Sequence, residues 1–285
     1  MFRLVRTRQF GISTHLYHGQ RLTRDHLIEI AAHGFETVEV FATRTHFDYH
    51  NEAAVADLQQ WLAEAGLTLH GVHAPIGESY AGNRWGPPLS IANADADGRA
   101  RALDEAITAL HIARRIPMRV LVTHLGLARA EKQGVADSRD GGRRSIEELQ
   151  KKAAPLGVNV AVEVIPNELS RAGSLVHFVE EDLEVEGVGI CLDFGHAHMD
   201  GDVVDAVETV SGHLTTTHVH DNRGRTDDHL VPFEGTIDWP SALTAAQKVG
   251  YEGPLLLEIA AHGSPVETLK KARRARERME RLLST

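Results

Sequence analysis

Eight short β-rich runs, most of them followed by a longer amphipathic stretch, recur from one end of this chain to the other, and that alternation restricts the architecture more than any other feature. The candidate strands are Phe10–Thr14, Thr37–Phe41, Thr68–His73, Arg119–His124, Asn159–Ile165, Gly187–Asp193, Leu214–His220 and Leu255–Ile259. Helical patterns lie between them, for example Arg24–His33 and Glu52–Ala65. In the second, Val55, Leu58, Leu62 and Ala65 recur at three- and four-residue steps and make one apolar stripe. A strand that passes through a helix to a parallel neighbour forms a right-handed βαβ unit. Eight such units can close on themselves and leave no open sheet edge, so the expected fold is α/β, a single (β/α)8 TIM barrel. An open doubly wound sheet competes, but no Gly-rich dinucleotide turn follows the first strand. The 285 residues suit one domain over 1–285, with no linker and no composition break.

Two connections are long. Ile76–Asp97, rich in Gly, Pro and Asn, reads as a loop over the barrel mouth, and Ala128–Arg143 as a second insertion. Loops of that length inside a compact domain are more often functional than accidental. The last helix, Val266–Leu283, carries Lys270, Lys271, Arg273, Arg274, Arg276 and Arg278. Nucleic acid is one reading of that run. A solvated outer face on the final barrel helix is the better one, and cations there complement the helix C-terminus. With 40 acids against 30 bases and a net charge of −10, a surface built to neutralise phosphates is disfavoured. No run approaches the roughly 18 apolar residues of a membrane span. Met1–Phe10 bears arginines with no apolar h-region after them, so no secretory signal is read and the cytoplasm is the expected compartment. Cys191, the only cysteine, excludes an intramolecular disulfide and a thiolate cluster. Inside Gly189-Ile190-Cys191-Leu192 it reads as a buried, inert thiol.

Histidine departs from ordinary usage: there are 18, several followed within a few residues by an acid. In a (β/α)8 barrel the reacting groups stand where strands run out into βα loops. His73 closes the third strand and His124 the fourth. Glu163 stands near the end of the fifth. The sixth ends in Asp193, with His196 three residues on, and the seventh delivers His218 in Thr-His218-Val-His220-Asp221-Asn222. Asp227 and His229 occupy the loop beyond, and Glu258 ends the eighth strand. Singly, each has a plain explanation, because a histidine at a strand end is usually a hydrogen-bonded loop residue and a lone Asp often caps the next helix. Glu163 and Glu258 resist it. Each follows aliphatic residues in an interior strand, where an unpaired carboxylate costs several kcal/mol. A divalent ion offsets that cost. The donors are nitrogen and oxygen only, suiting Zn, Mn, Co or Mg.

Taken together these motifs resemble the xylose isomerase-like barrel superfamily, also described as AP endonuclease family 2, over nearly the whole chain. It includes metal-dependent sugar isomerases and epimerases and zinc-dependent DNA repair endonucleases. The resemblance to the ketose 3-epimerase branch implies one metal held by Glu163, Asp193, His218 and Glu258, with His196 and Arg223 gripping substrate oxygens. The resemblance to the endonuclease branch implies further metal ligands at His73, His124, His196, Asp227 and His229. Two details favour the sugar branch. Ile76 follows His73-Ala-Pro where the repair enzymes carry a tyrosine, and the loop from Ala42 to His50 is similar to an element of sugar isomerase-like relatives.

The favoured expectation is therefore a metal-dependent isomerase or epimerase of a carbohydrate or polyol ketone. Glu163 and Glu258 would act as the catalytic pair, moving a proton through a metal-stabilised enediolate. The alternative is a zinc-dependent phosphodiester hydrolase, and a non-catalytic sugar-binding relative comes third. Trp239 reads as a barrel-packing aromatic before a pocket wall. The expected partner is a small sugar or polyol, not nucleic acid or membrane, and a homo-oligomer is compatible with the sequence.

Overall fold

A computed structural model of the chain describes residues 8–129 and 134–284. Residues 1–7 of the arginine-bearing start, and 130–133 of the second long connection, lie outside the described residues. Eight parallel strands close a barrel in the order β1 (Phe10–Ser13), β2 (Thr37–Phe41), β3 (Thr68–His73), β6 (Val120–His124), β7 (Asn159–Glu163), β8 (Gly189–Asp193), β9 (Leu214–Val219) and β10 (Leu255–Leu257). All eight expected strands are present. Several stop a residue or two short of the reading, because an aliphatic pattern such as Val164-Ile165 continues past the last ladder bond.

The helices between strands include α1 (Arg24–Ala32), α2 (Glu52–Ala65), α3 (Ala96–Leu110), α4 (Arg139–Ala153), α5 (Ala172–His177), α6 (Phe194–Asp200), α7 (Val203–Thr209), α8 (Trp239–Lys248) and α9 (Pro265–Leu283). In α2 the Asn51 side chain accepts from Ala53 N at the start, and Gly66 ends the helix at φ 68°. Only a residue without Cβ adopts that left-handed turn cheaply. Its stripe, Val55, Leu58 and Leu62, is buried against the strands. On β2 the outward-facing Val38 and Val40 and the inward-facing Glu39 are all fully buried, since helices cover one face and the barrel interior the other.

Both long connections contain regular structure that their composition does not announce. Within Ile76–Asp97 an antiparallel ribbon forms from β4 (Tyr80–Ala81) and β5 (Arg84–Trp85). Gly82 and Asn83 turn it with φ of 57° and 59°, the geometry of a tight hairpin. Its last two residues already belong to α3, whose N-cap Asp95 accepts from Gly98 N. Likewise α4 begins at Arg139, capped by Ser138, so the end of Ala128–Arg143 is helical. The basic run of α9 is spent partly on the barrel itself. Lys271 pairs with Glu234 at 2.8 Å, Arg276 donates to the Gly34 carbonyl, and Arg278 stands 3.9 Å above the Phe233 ring. Among the described residues no helix is long and apolar enough to cross a membrane.

One irregularity aims side chains. Val38 pairs with Leu69 but Glu39 pairs with Gly71, so β3 carries one extra residue, His70. Such a bulge flips the in–out alternation and lets both His70 and His73 face the interior, three residues apart. His70 reaches Thr216 Oγ1 across the barrel at 3.0 Å.

Candidate metal centre and active site

The strand ends deliver their acids and histidines to one point. One donor atom each from Glu163, Asp193, His218 and Glu258 lies within 4.8 Å of the others, and all four residues are buried. That spacing lets them share one ion at roughly 2.0–2.3 Å after small side-chain adjustments. Glu163 sits in the middle. Its Oε2 is 3.0 Å from His73 Nε2 and 3.2 Å from His124 Nε2, and its Oε1 is 3.0 Å from His218 Nδ1. A second group comprises His196, His220, Asp227 and His229. Asp227 Oδ2 lies 3.1 Å from both His196 Nε2 and His229 Nε2.

Asp193 also caps α6, its Oδ1 accepting from His196 N at 2.6 Å. Capping and ligation therefore coexist, because Asp193 Oδ2 is buried with no hydrogen-bond partner among the described residues. Glu258 Oε1 and both ring nitrogens of His220 are likewise buried without a hydrogen bond to any described residue. His220 Nε2 is 3.0 Å from Asp193 Oδ1, but off the hydrogen-bond direction. Its ring fits because residue 195 is glycine; a Cβ there would stand 2.0 Å from His220 Cε1. Orphaned carboxylate oxygens and imidazole nitrogens converging in a buried pocket fit a divalent cation with nitrogen and oxygen ligands.

The histidines are oriented by what their other nitrogen bonds. Nδ1 of His73, His196 and His229 donates to the carbonyls of Ala74, Val164 and Glu258 at 2.8, 3.1 and 2.7 Å, which turns Nε2 toward the carboxylates. His229 is held at φ 43°, a backbone strain that its two ring contacts sustain. Both nitrogens of His196 and of His229 face acceptors, so both rings carry two protons. Burial by itself disfavours that charge, yet Asp193 and Asp227 hold His196 well above the ordinary 6.5, and Asp227 raises His229 to about 10. Glu163 is held well below 4.5 against its burial by His218 and His124. Without an ion, protons on the imidazoles balance the carboxylates.

Metal uptake must therefore displace protons. Adding zinc or manganese to metal-free protein in weak buffer near pH 7 should release on the order of one proton per ion, and affinity should rise with pH. Binding with no proton release, read by calorimetry in buffers of different ionisation enthalpy, would contradict this account of the centre.

Above the cluster opens a cavity of about 330 Å³, within the range of small-molecule sites. Glu163, Glu258, His73, His124, His196, Asp227 and His229 line it, and so do Asp228, His262 and residues that sequence reasoning did not single out. His15 and His18, from the turn after β1, stack on one another at 4.4 Å. Tyr80 and Trp85 of the β4–β5 ribbon lie against His18 at 4.4 and 6.2 Å. The ribbon thus roofs one side with aromatic surface. Arg223 is not part of the lining; its side chain is exposed and donates to the Glu234 carbonyl at 3.4 Å. Trp239 packs in the core with Nε1 donating to Asp221. Asp221 also accepts from Asn222, Phe233 and Ile237, and so organises the loop that carries Asp227 and His229. Cys191 is buried, and burial pushes its thiol far above the ordinary range.

The sequence pattern of the xylose isomerase-like TIM barrel family matches residues 27–284, and the chain belongs to that family. L-ribulose-5-phosphate 3-epimerase UlaE of Salmonella paratyphi A is 25% identical over 253 residues, covering 84% of each chain. A solved D-tagatose 3-epimerase-like protein superposes with a TM-score of 0.78 at 22% identity over 97% of both chains. The solved IOLI protein, with a binding zinc atom, gives a TM-score of 0.74 at 16% identity over 97% of this chain and 98% of its own. At such identities these two structures speak for the fold alone.

Proposed function

We propose that this protein is a metal-dependent epimerase or isomerase of a sugar or related polyol ketone. The observation that carries the reading is the pair of buried carboxylates, Glu163 and Glu258. They share a donor group with Asp193 and His218 and also border a monosaccharide-sized cavity. The sugar-epimerase relative supports the same class.

Glu163, Asp193, His218 and Glu258 would hold the ion. A divalent cation in that position supplies stabilisation of the negative charge that develops on substrate oxygens. The residues do the rest. Glu258, which borders the cavity, would spend one carboxylate oxygen on the ion and use the other to take a proton from a carbon next to the ketone. Glu163, on a different strand, is the candidate to return a proton, which gives inversion or isomerisation according to the carbon that receives it. His196 and His229 border the same space and can grip hydroxyls. His18, Tyr80 and Trp85 offer apolar ring faces for the carbon face of a sugar and help exclude water.

Phosphodiester hydrolysis remains the alternative because His73 and His124 share Glu163, which would let that carboxylate bridge two ions. The net charge of −10 counts against it, since an acidic surface repels a phosphate backbone. The test pairs two assays on the same preparation: a panel of ketoses with manganese or cobalt, and an abasic-site duplex with zinc. Ketose turnover without strand cleavage is expected. Efficient cleavage with no sugar turnover, accompanied by about three zinc ions per chain, would overturn the proposal.

A further inference from the structure

Glu39 belongs neither to the donor groups that could share an ion nor to the cavity wall, and its position is costly. It is fully buried on β2, inside the barrel beneath the cavity, and its Oε1 has no hydrogen-bond partner among the described residues. A carboxylate in such surroundings destabilises a fold unless a paired charge or hydrogen bonds offset its lost hydration. Its Oε2 lies 3.1 Å from His218 Nε2.

His218 differs from the other histidines of the cluster. His73, His196 and His229 each commit Nδ1 to a backbone carbonyl and present Nε2. His218 does the reverse. Its Nδ1 faces Glu163 Oε1 at 3.0 Å and Glu258 Oε2 at 3.4 Å, while Nε2 points down the barrel to Glu39. His218 lies on a barrel strand whose backbone groups are committed to the ladder, so a side chain has to supply the acceptor. The register shift between Val38 and Glu39 falls beside this contact.

We infer that Glu39 is a positioning residue: it accepts the Nε2 proton of His218 and thereby fixes the ring so that Nδ1 offers its lone pair to the ion. A carboxylate acceptor also makes the imidazole a stronger donor than a carbonyl partner does. The inference rests on the metal-binding part of the proposed function and not on the sugar chemistry.

The test uses metal alone. Cobalt is titrated into metal-free wild type, Glu39→Gln and Glu39→Leu, with affinity read from visible absorption and folding checked by circular dichroism. Glu39→Leu removes the acceptor and should weaken binding by about 10–100-fold, the usual effect of losing an outer-shell partner. Glu39→Gln keeps the volume and an acceptor oxygen; it should fall in between, and it carries the test if the leucine variant does not fold. The second readout is the nitrogen that bears the proton. In zinc-loaded wild type, long-range ¹H–¹⁵N spectra should place a slowly exchanging proton on His218 Nε2, and that signal should be lost or broadened in the variants. A purely structural Glu39 would lower stability and leave affinity and the His218 signal unchanged; that result overturns the inference, as does wild type that binds no cobalt. Wild type that binds cobalt through His218 Nδ1 but turns over no ketose would sink the proposed function and leave Glu39 in its role.

Discussion

Glu258→Gln should abolish most turnover while leaving substrate binding close to wild type. Glu258 stands just past β10, with its backbone N–H on the Val219 carbonyl and its own carbonyl accepting from His229. Glutamine preserves that backbone anchoring, the side-chain volume and one oxygen able to ligate. What it lacks is a basic second oxygen. Loss of a positioned general base costs on the order of 10²–10⁴-fold, so kcat should fall by that factor and KM should change little. Wild type turning over ketose in deuterium oxide should place deuterium at the reacting carbon, and the variant should do so more slowly by the same factor. A Glu258→Gln enzyme that keeps near-normal turnover, or deuterium-free product from the wild type, would eliminate proton transfer through this carboxylate.

Glu163→Gln should disable the centre at its root and destabilise the metal-free protein as well. Four imidazoles, those of His73, His124, His196 and His218, lie within 3.6 Å of the Glu163 carboxylate. Metal affinity should fall by more than the roughly 100-fold that marks loss of an outer-shell partner. In the metal-free protein, removing one partner of a buried charge pair costs about 3–5 kcal/mol. The pH dependence has a definite sign. Glu163 is held below 4.5, so its contribution is present above that pH and is lost as pH falls through the depressed value. His196 and His218 are held well above 6.5, so theirs is fully present below 6.5 and fades as pH rises toward the raised values. The gap between wild type and variant in urea unfolding should be widest between pH 4.5 and 6.5 and should shrink by pH 9. A gap of equal size at pH 6 and pH 9 would mean that these ion pairs are not what Glu163 holds together.

The strands and the principal acids were legible because their signals are local. A β-rich run ended by a residue that aliphatic neighbours do not explain is visible for Glu163 and Glu258, and the barrel rule assigns both to the same end. The limits of α2 were equally readable, since Asn51 and Gly66 satisfy its terminal groups from inside the same short segment. The two-residue strands of the β4–β5 ribbon were too short for periodicity to register. Their one signal was the Gly82-Asn83 pair at the turn.

Glu39 and Arg223 mark where local signals fail. In Thr37-Val-Glu-Val-Phe41 alternation alone assigns the glutamate to the solvent face of a half-covered strand. Only closure of the sheet converts that face into the barrel interior and brings Glu39 to His218, 179 residues away. Arg223 stands at the right distance from the seventh strand, but its backbone runs into the loop tied down by Asp221, and its side chain leaves the mouth. His220 was visible as a letter in a motif, yet its place between Asp193 and Asp227 depends on the missing side chain at Gly195. The sequence by itself determined the barrel and the acids and histidines that end its strands, because hydrophobic period and strand ends are short-range properties of the chain. Which nitrogen of each histidine faces inward, which carboxylate oxygens are left without partners, and which arginine stays outside were decided only by the tertiary structure. Those depend on contacts between strands and loops far apart in the chain, and no local pattern encodes them.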